Sequence, residues 1–184
     1  SHHHIYEKRM KEVEDGTEVF LGDRTLKFMM APWVHWPDTM FVHIPEDKII
    51  FTTAFMGSHL ATGDLFAVHE GQVYEAAKRY YAEIMMPFRR QLNSNLKKLS
   101  DLEIDIIGPS HGPVHNRPAF IVDAYKDWAS DNVKNEVIVL YVSMHGSVAK
   151  MVSHFVDALI QRGITVRQFE LATMDVGKLA IALV

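Results

Sequence analysis

Three short segments carry residues able to do chemistry. In Ala31-Pro-Trp-Val-His-Trp-Pro-Asp38 a single imidazole, His35, stands between two tryptophans and two prolines. A metal-binding histidine needs its ring held in one orientation, commonly by a carboxylate behind it, and Asp38 is near enough in sequence to serve. A histidine beside aromatics is more often simply packed, so this segment alone leaves both readings open. The second segment is Gly108-Pro-Ser-His-Gly-Pro113. Its glycines and prolines make a stiff turn around His111, suited to a ligand or an acid–base group and equally to a turn that happens to contain histidine. The third is Ser143-Met-His-Gly-Ser147, between an apolar run and an amphipathic one. Backbone N–H groups and hydroxyls at a helix start suit a phosphate, and the same turn fits an ordinary connection with Ser147 as helix cap. His43, His59, His69, His115 and His154 have weaker claims; His59 and His115 lie near the candidate loops, and His154 falls inside a helix as a surface or boundary residue.

These segments need elements to position them. From Glu18 to Thr53 short apolar stretches alternate with Gly22-Asp23 and Pro45-Glu46-Asp47, which predicts antiparallel strands joined by hairpins. Val73, Ala76, Ala77, Tyr80, Tyr81, Ile84 and Met85 then recur at three- and four-residue steps, the stripe of a long helix. Pro87 kinks or ends that helix, and Phe88 to Leu99 resumes it. Ile104 to Ile107 reads as a strand feeding the His111 turn, and Pro118 to Ala129 as a helix with proline in its first turn. Ser130 to Glu136 is polar enough for a linker, placing a boundary near Asn132. Val137-Ile-Val-Leu-Tyr-Val142 has the unbroken apolar character of a parallel strand buried on both faces. With a helix from Val148 to Arg162, a stop at Gly163 and a strand from Ile164 to Leu171, it makes a βαβ unit.

Composition narrows the class. A net charge of -4 argues against a nucleic-acid partner, which would require clustered Lys and Arg. With no cysteine, any metal has to be held by His, Asp or Glu. No run approaches the roughly 20 apolar residues of a membrane span, so the 184-residue chain reads as soluble and cytoplasmic, with no membrane partner. Ser1-His2-His3-His4 fits an affinity-tag remnant as well as native sequence, and those histidines are set aside. The lack of Met at position 1 suggests that the native chain begins elsewhere.

The stations, in this order, resemble the flavodiiron proteins, also called A-type flavoproteins. The resemblance runs from about Gly16 onward. It rests on Leu21-Gly-Asp-Arg-Thr-Leu-Lys-Phe28, Ala31-Pro32 with His35-Trp-Pro-Asp-Thr-Met40, Gly57-Ser-His59, Ser110-His-Gly-Pro113 and Tyr141-Val-Ser-Met-His-Gly-Ser147. It implies an α/β chain: the C-terminal part of a metallo-β-lactamase-like αββα sandwich over 1–132, then the first βαβ unit of a flavodoxin-like doubly wound sheet over 133–184. It implies FMN and two iron ions as cofactors, with dioxygen reduced to water or nitric oxide to nitrous oxide. The electron donor expected is rubredoxin or reduced deazaflavin F420, and the assembly a head-to-tail homodimer. Carried over by motif, His35 binds one iron and His111 the other, while Ser143, Met144, His145, Gly146 and Ser147 cradle the FMN phosphate and flank its ring.

Three departures accompany the resemblance. The family's His-x-Glu-x-Asp-His segment is absent and is expected upstream of residue 1, so four ligands are missing. Ala54 stands where a carboxylate bridging the irons is expected, and Asp64 and Glu70 are not at the matching position. Ser147-Val148 replaces a pair of hydroxyls, and later flavodoxin loops are expected beyond Val184. The chain is thus expected to be an incomplete or degenerate version of the enzyme, the alternative being a non-catalytic structural or interaction relative without the diiron site. A zinc hydrolase of the metallo-β-lactamase superfamily is a more distant reading.

Overall fold

The computed structural model describes residues 11–184, and His2 to His4 lie outside the described residues. Four antiparallel strands come first: β1 (Glu18–Phe20), β2 (Thr25–Met30), β3 (Met40–Ile44) and β4 (Ile49–Thr53). Gly22 at φ 93° turns the first hairpin, a left-handed conformation that costs glycine nothing. Pro45 to Lys48 close the third turn. The sheet order is β1-β2-β3-β4-β5, and β5 (Ile106–Pro109) lies parallel to β4. Register follows the pleat: Phe41, His43, Ile50 and Thr52 point into the core, whereas Phe51 is 48% exposed on the other face.

Helices cover the buried face. α1 (Glu70–Tyr80) passes into a π turn over Tyr81–Met85 and a 3-10 turn over Met86–Phe88, after which α2 (Arg89–Ser100) resumes. The break predicted at Pro87 is present, and its chemistry is visible. Proline has no N–H to offer the Glu83 carbonyl and its ring crowds that turn, so the backbone widens and the Met86 N–H bonds the Tyr81 carbonyl instead. α3 (Pro118–Trp128) completes this part. An aromatic cluster joins the layers: Phe41 stacks on Phe55 at 5.6 Å, Phe55 meets Tyr125 edge-on at 5.2 Å, and Tyr81 meets Tyr125 at 5.4 Å. The Tyr81 hydroxyl donates to the Trp128 carbonyl at 3.1 Å, so a polar tip inside the core is satisfied.

The remaining elements are β6 (Glu136–Tyr141), α4 (Ser147–Ile160), β7 (Thr165–Glu170) and α5 (Val176–Ala182), with β6 and β7 parallel. This is the βαβ unit read from the sequence. β6 differs in one respect: it is half-buried, with Leu140 47% exposed, because among the described residues it has β7 as its sole strand neighbour. His154 is exposed on α4, as expected. No helix among the described residues is long and apolar enough to cross a membrane.

His43 is an ionisable residue in apolar surroundings. It is 5% exposed on the core face of β3, and neither ring nitrogen makes a well-formed hydrogen bond among the described residues. Burial pushes its imidazole below the ordinary value, and the nearby Glu103 backbone offsets this only in part. A histidine depressed in the folded state destabilises the fold as pH drops below its unfolded value of about 6.5. Melting temperature is therefore expected to fall between pH 7 and 5, with a shallower slope in His43→Leu, measured by thermal melts across that range.

Candidate functional site

The site forms where the loops after β2, β4 and β5 meet. The first loop holds His35. Ala31 N–H bonds the Thr39 carbonyl at 2.8 Å and Trp33 N–H the Trp36 carbonyl at 2.7 Å. The Thr39 hydroxyl donates to the Trp36 carbonyl at 2.9 Å, and Val34, fully buried, pins the centre. Trp33 takes a left-handed φ of 67°, and the Val34–His35 peptide is cis. The tryptophans do not sandwich the imidazole: Trp33 is 49% and Trp36 63% exposed, and the His35 ring lies tilted 5.4 Å from Trp36. Asp38, expected as an orienting partner, is exposed and is not hydrogen-bonded to His35 among the described residues.

The loop after β4 is compressed. Thr53 and Met56 both have positive φ, at 54° and 65°, which is costly for side chains other than glycine and unusual for a β-branched one. The Thr52 hydroxyl donates to the Phe55 carbonyl at 2.6 Å. Behind it His115, 2% exposed, places Nε2 3.0 Å from the Met56 carbonyl, and its backbone exchanges two hydrogen bonds with Ile107 of β5. The loop then lies on the turn after β5. Ser110 N–H bonds the Thr53 carbonyl at 2.6 Å, and Ser58 N–H the His111 carbonyl at 3.1 Å. A Cβ on Gly57 would fall 2.9 Å from the His111 carbonyl oxygen, and one on Gly112 would overlap the Ser58 hydroxyl.

This docking brings imidazoles together. The His59 and His111 rings are 6.0 Å apart, and Tyr80, at the end of α1, lies 4.7 Å from His59 and 6.2 Å from His111. The His35 imidazole is held below its ordinary value first by burial and second by the charge of His111. Tyr80 is 2% exposed, and burial raises its phenol above the ordinary range. His59 had only a weak claim in the sequence. Tyr80 had none, because it sits in the apolar stripe of α1, where a buried tyrosine packing through its ring gives the same signal.

Among the described residues carboxylates do not join this group. Ala54, the position at which the resemblance leads one to expect a carboxylate, is buried and carries only a methyl group. Asp64 faces His69 at 3.9 Å, and Glu70 is paired with Arg117. Among the described residues no three His, Asp or Glu side chains come close enough to hold a metal ion together.

The Ser143 to Ser147 turn stands exposed between β6 and α4. Gly146, at φ 79°, is the helix cap residue; Ser147, a candidate cap in the sequence, is the first helical residue instead. The Ser143 hydroxyl accepts the Ala149 N–H at 3.1 Å. The first N–H groups of α4, at Ser147 and Val148, have no carbonyl one turn back within the helix, and nothing lies within 4 Å of where a Gly146 Cβ would stand. The turn is open for an anion to approach the backbone.

A family model described as ODP family beta lactamase matches residues 1–112. Over 168 residues the chain is 36% identical to a nitric oxide reductase of Moorella thermoacetica, with 89% of this chain aligned. The flavodiiron protein from Giardia intestinalis superposes with a TM-score of 0.85 at 31% identity, covering 92% of this chain and 42% of that one. The chain belongs to the flavodiiron protein family. A coenzyme F420H(2) oxidase of Methanothermobacter marburgensis is a further flavodiiron relative, 32% identical over 90% of this chain. The chain spans 42% of the length of each of these two curated relatives. Its five-stranded sheet and covering helices are those of the metallo-β-lactamase-like domain of flavodiiron proteins.

The close approach of the two loops is open to test. Gly57→Ala forces backbone against backbone and is expected to cost about 1–3 kcal/mol. Gly112→Ala adds a left-handed penalty of about 1–2 kcal/mol to its overlap with Ser58. Both are read by denaturant unfolding, and unchanged stability in both would refute the tight docking.

Proposed function

We propose that this chain serves an FMN- and diiron-dependent oxidoreductase acting on dioxygen or nitric oxide, with 1–132 as its metallo-β-lactamase-like part and 133–184 as its flavodoxin-like part. The observation that carries the reading is the meeting of His59, His111 and Tyr80 in a flavodiiron-family scaffold, with His35 on the loop after β2. His35 and His111 are the metal donors of this chain. Reduced F420 or rubredoxin is the electron donor in this reading, and a head-to-tail homodimer its assembly.

The Ser143 to Ser147 turn suits the phosphate of FMN, because helix N–H groups, two hydroxyls and an uncrowded Gly146 converge there. Bound FMN would supply electron transfer in single steps. Ser143 holds the Ala149 N–H and so keeps the turn closed on the helix, while Met144, 85% exposed, and His145 stand beside it to flank the flavin.

The residues described do not by themselves fit a pair of irons. Imidazoles alone are a poor donor set for iron in such centres, which also calls for carboxylate oxygen. Ala54 provides none, and Asp64 and Glu70 are engaged elsewhere. The methyl group at position 54 favours a second reading, a non-catalytic relative that has lost its diiron site.

Anaerobic loading of the full chain with ferrous iron and FMN, followed by removal of free ligand and quantification, separates the readings. Wild type is expected to retain flavin and substoichiometric iron, with His35→Ala and His111→Ala each lowering the iron and Ala54→Asp raising it. A full pair of irons in the wild type would reject the lost-site reading. Unchanged iron content and reductase activity in Ala54→Asp would show that position 54 has no bearing on the centre.

A further inference from the structure

The last two residues of α1 serve different neighbours. Tyr80 turns its ring to His59 and His111, with the His59 ring meeting it at 82°. Arg79 reaches α5. Its Nε donates to Glu83 at 3.0 Å, spanning the junction where α1 gives way to the π turn. Its Nη1 and Nη2 each face one oxygen of Asp175 at 3.4 Å. Asp175 caps α5 by accepting the Gly177 N–H at 2.8 Å. Gly177 is buried, and a Cβ there would fall within the Arg79 guanidinium, which therefore lies against bare backbone.

The parts of this contact have unequal weight. The ion pair is about half exposed on each side and is worth little alone. The glycine contact supplies what charge cannot, a fixed seat for a planar group. Its position matters because a π turn has an extra residue to accommodate, and neighbouring residues on a helix point about 100° apart. A slip at Arg79 therefore rotates Tyr80 on the other side of the same turn.

We propose that Arg79 is a positioning residue coupling the 136–184 unit to the candidate site: by locking the end of α1 onto Asp175 and Gly177 of α5, it sets the Tyr80 ring against His59 and His111. The coupling does not depend on whether the site holds metal.

Ring-proton NMR of the histidines in the full, metal-free chain tests it, because the ring current of Tyr80 displaces the resonances of an imidazole 4.7 Å away. Y80L calibrates the signal, and exposed His154 is the internal control. R79Q, G177A and D175N open the clasp from three sides; G177A is tolerated sterically because the guanidinium is the flexible end that yields. All three are expected to move the His59 and His111 resonances toward their Y80L positions while His154 stays in place. Lowered melting temperature with unmoved His59 and His111 signals would make Arg79 a purely structural tie and overturn the proposal. Movement in R79Q with none in either α5 variant would assign the effect to the Arg79–Glu83 bridge and overturn it equally. Iron and FMN binding are read separately, so their failure leaves this result standing.

Discussion

The close approach of two loop backbones holds the site together. The loop after β4 reaches the turn after β5 only because Gly57 and Gly112 have no Cβ, and the Ser58 N–H on the His111 carbonyl fixes the contact. The imidazoles of His59 and His111 then have little choice of position, since their main chains are tied within a few residues of each other. The left-handed Thr53 and Met56 store conformational cost in the same loop, and the surrounding hydrogen bonds over-determine it.

Pro87 shapes the other wall. The donor it lacks turns one stretch of α-helix into a π turn, which begins one residue after Tyr80. A tyrosine at that junction belongs to two systems: its ring is part of the helix's buried stripe and also borders the histidines. Tyr81, the next residue, goes entirely into the aromatic core through Tyr125 and Trp128. The site is thus walled directly by the core, so packing and chemistry share side chains.

Much of this was legible in the residues. Period-two stretches between Glu18 and Thr53 became β1 to β4, the stripe from Val73 became α1, and the proline break fell where a missing N–H requires it. His35 and His111 stood out because proline, glycine and aromatics around a histidine make a conspicuous loop. Tyr80 did not, because a stripe of apolar and aromatic residues says which face is buried and nothing about what lies at its end. Asp38 misled for the opposite reason: closeness in sequence suggested a partner, but the Thr39 and Trp36 hydrogen bonds turn the loop so that the carboxylate stays in solvent. β6 is half-buried: an apolar run reveals what a strand can cover and is silent on how many neighbours it has among the described residues.

His115 has a consequence of its own. A carbonyl oxygen can only accept, so the nitrogen facing Met56 must carry the hydrogen, which fixes the tautomer and leaves Nδ1 as a buried lone pair with no partner among the described residues. Adding a proton there would put a cation where burial already opposes one. This imidazole is therefore disfavoured as a cation, and as a neutral donor it ties down the carbonyl of the left-handed Met56.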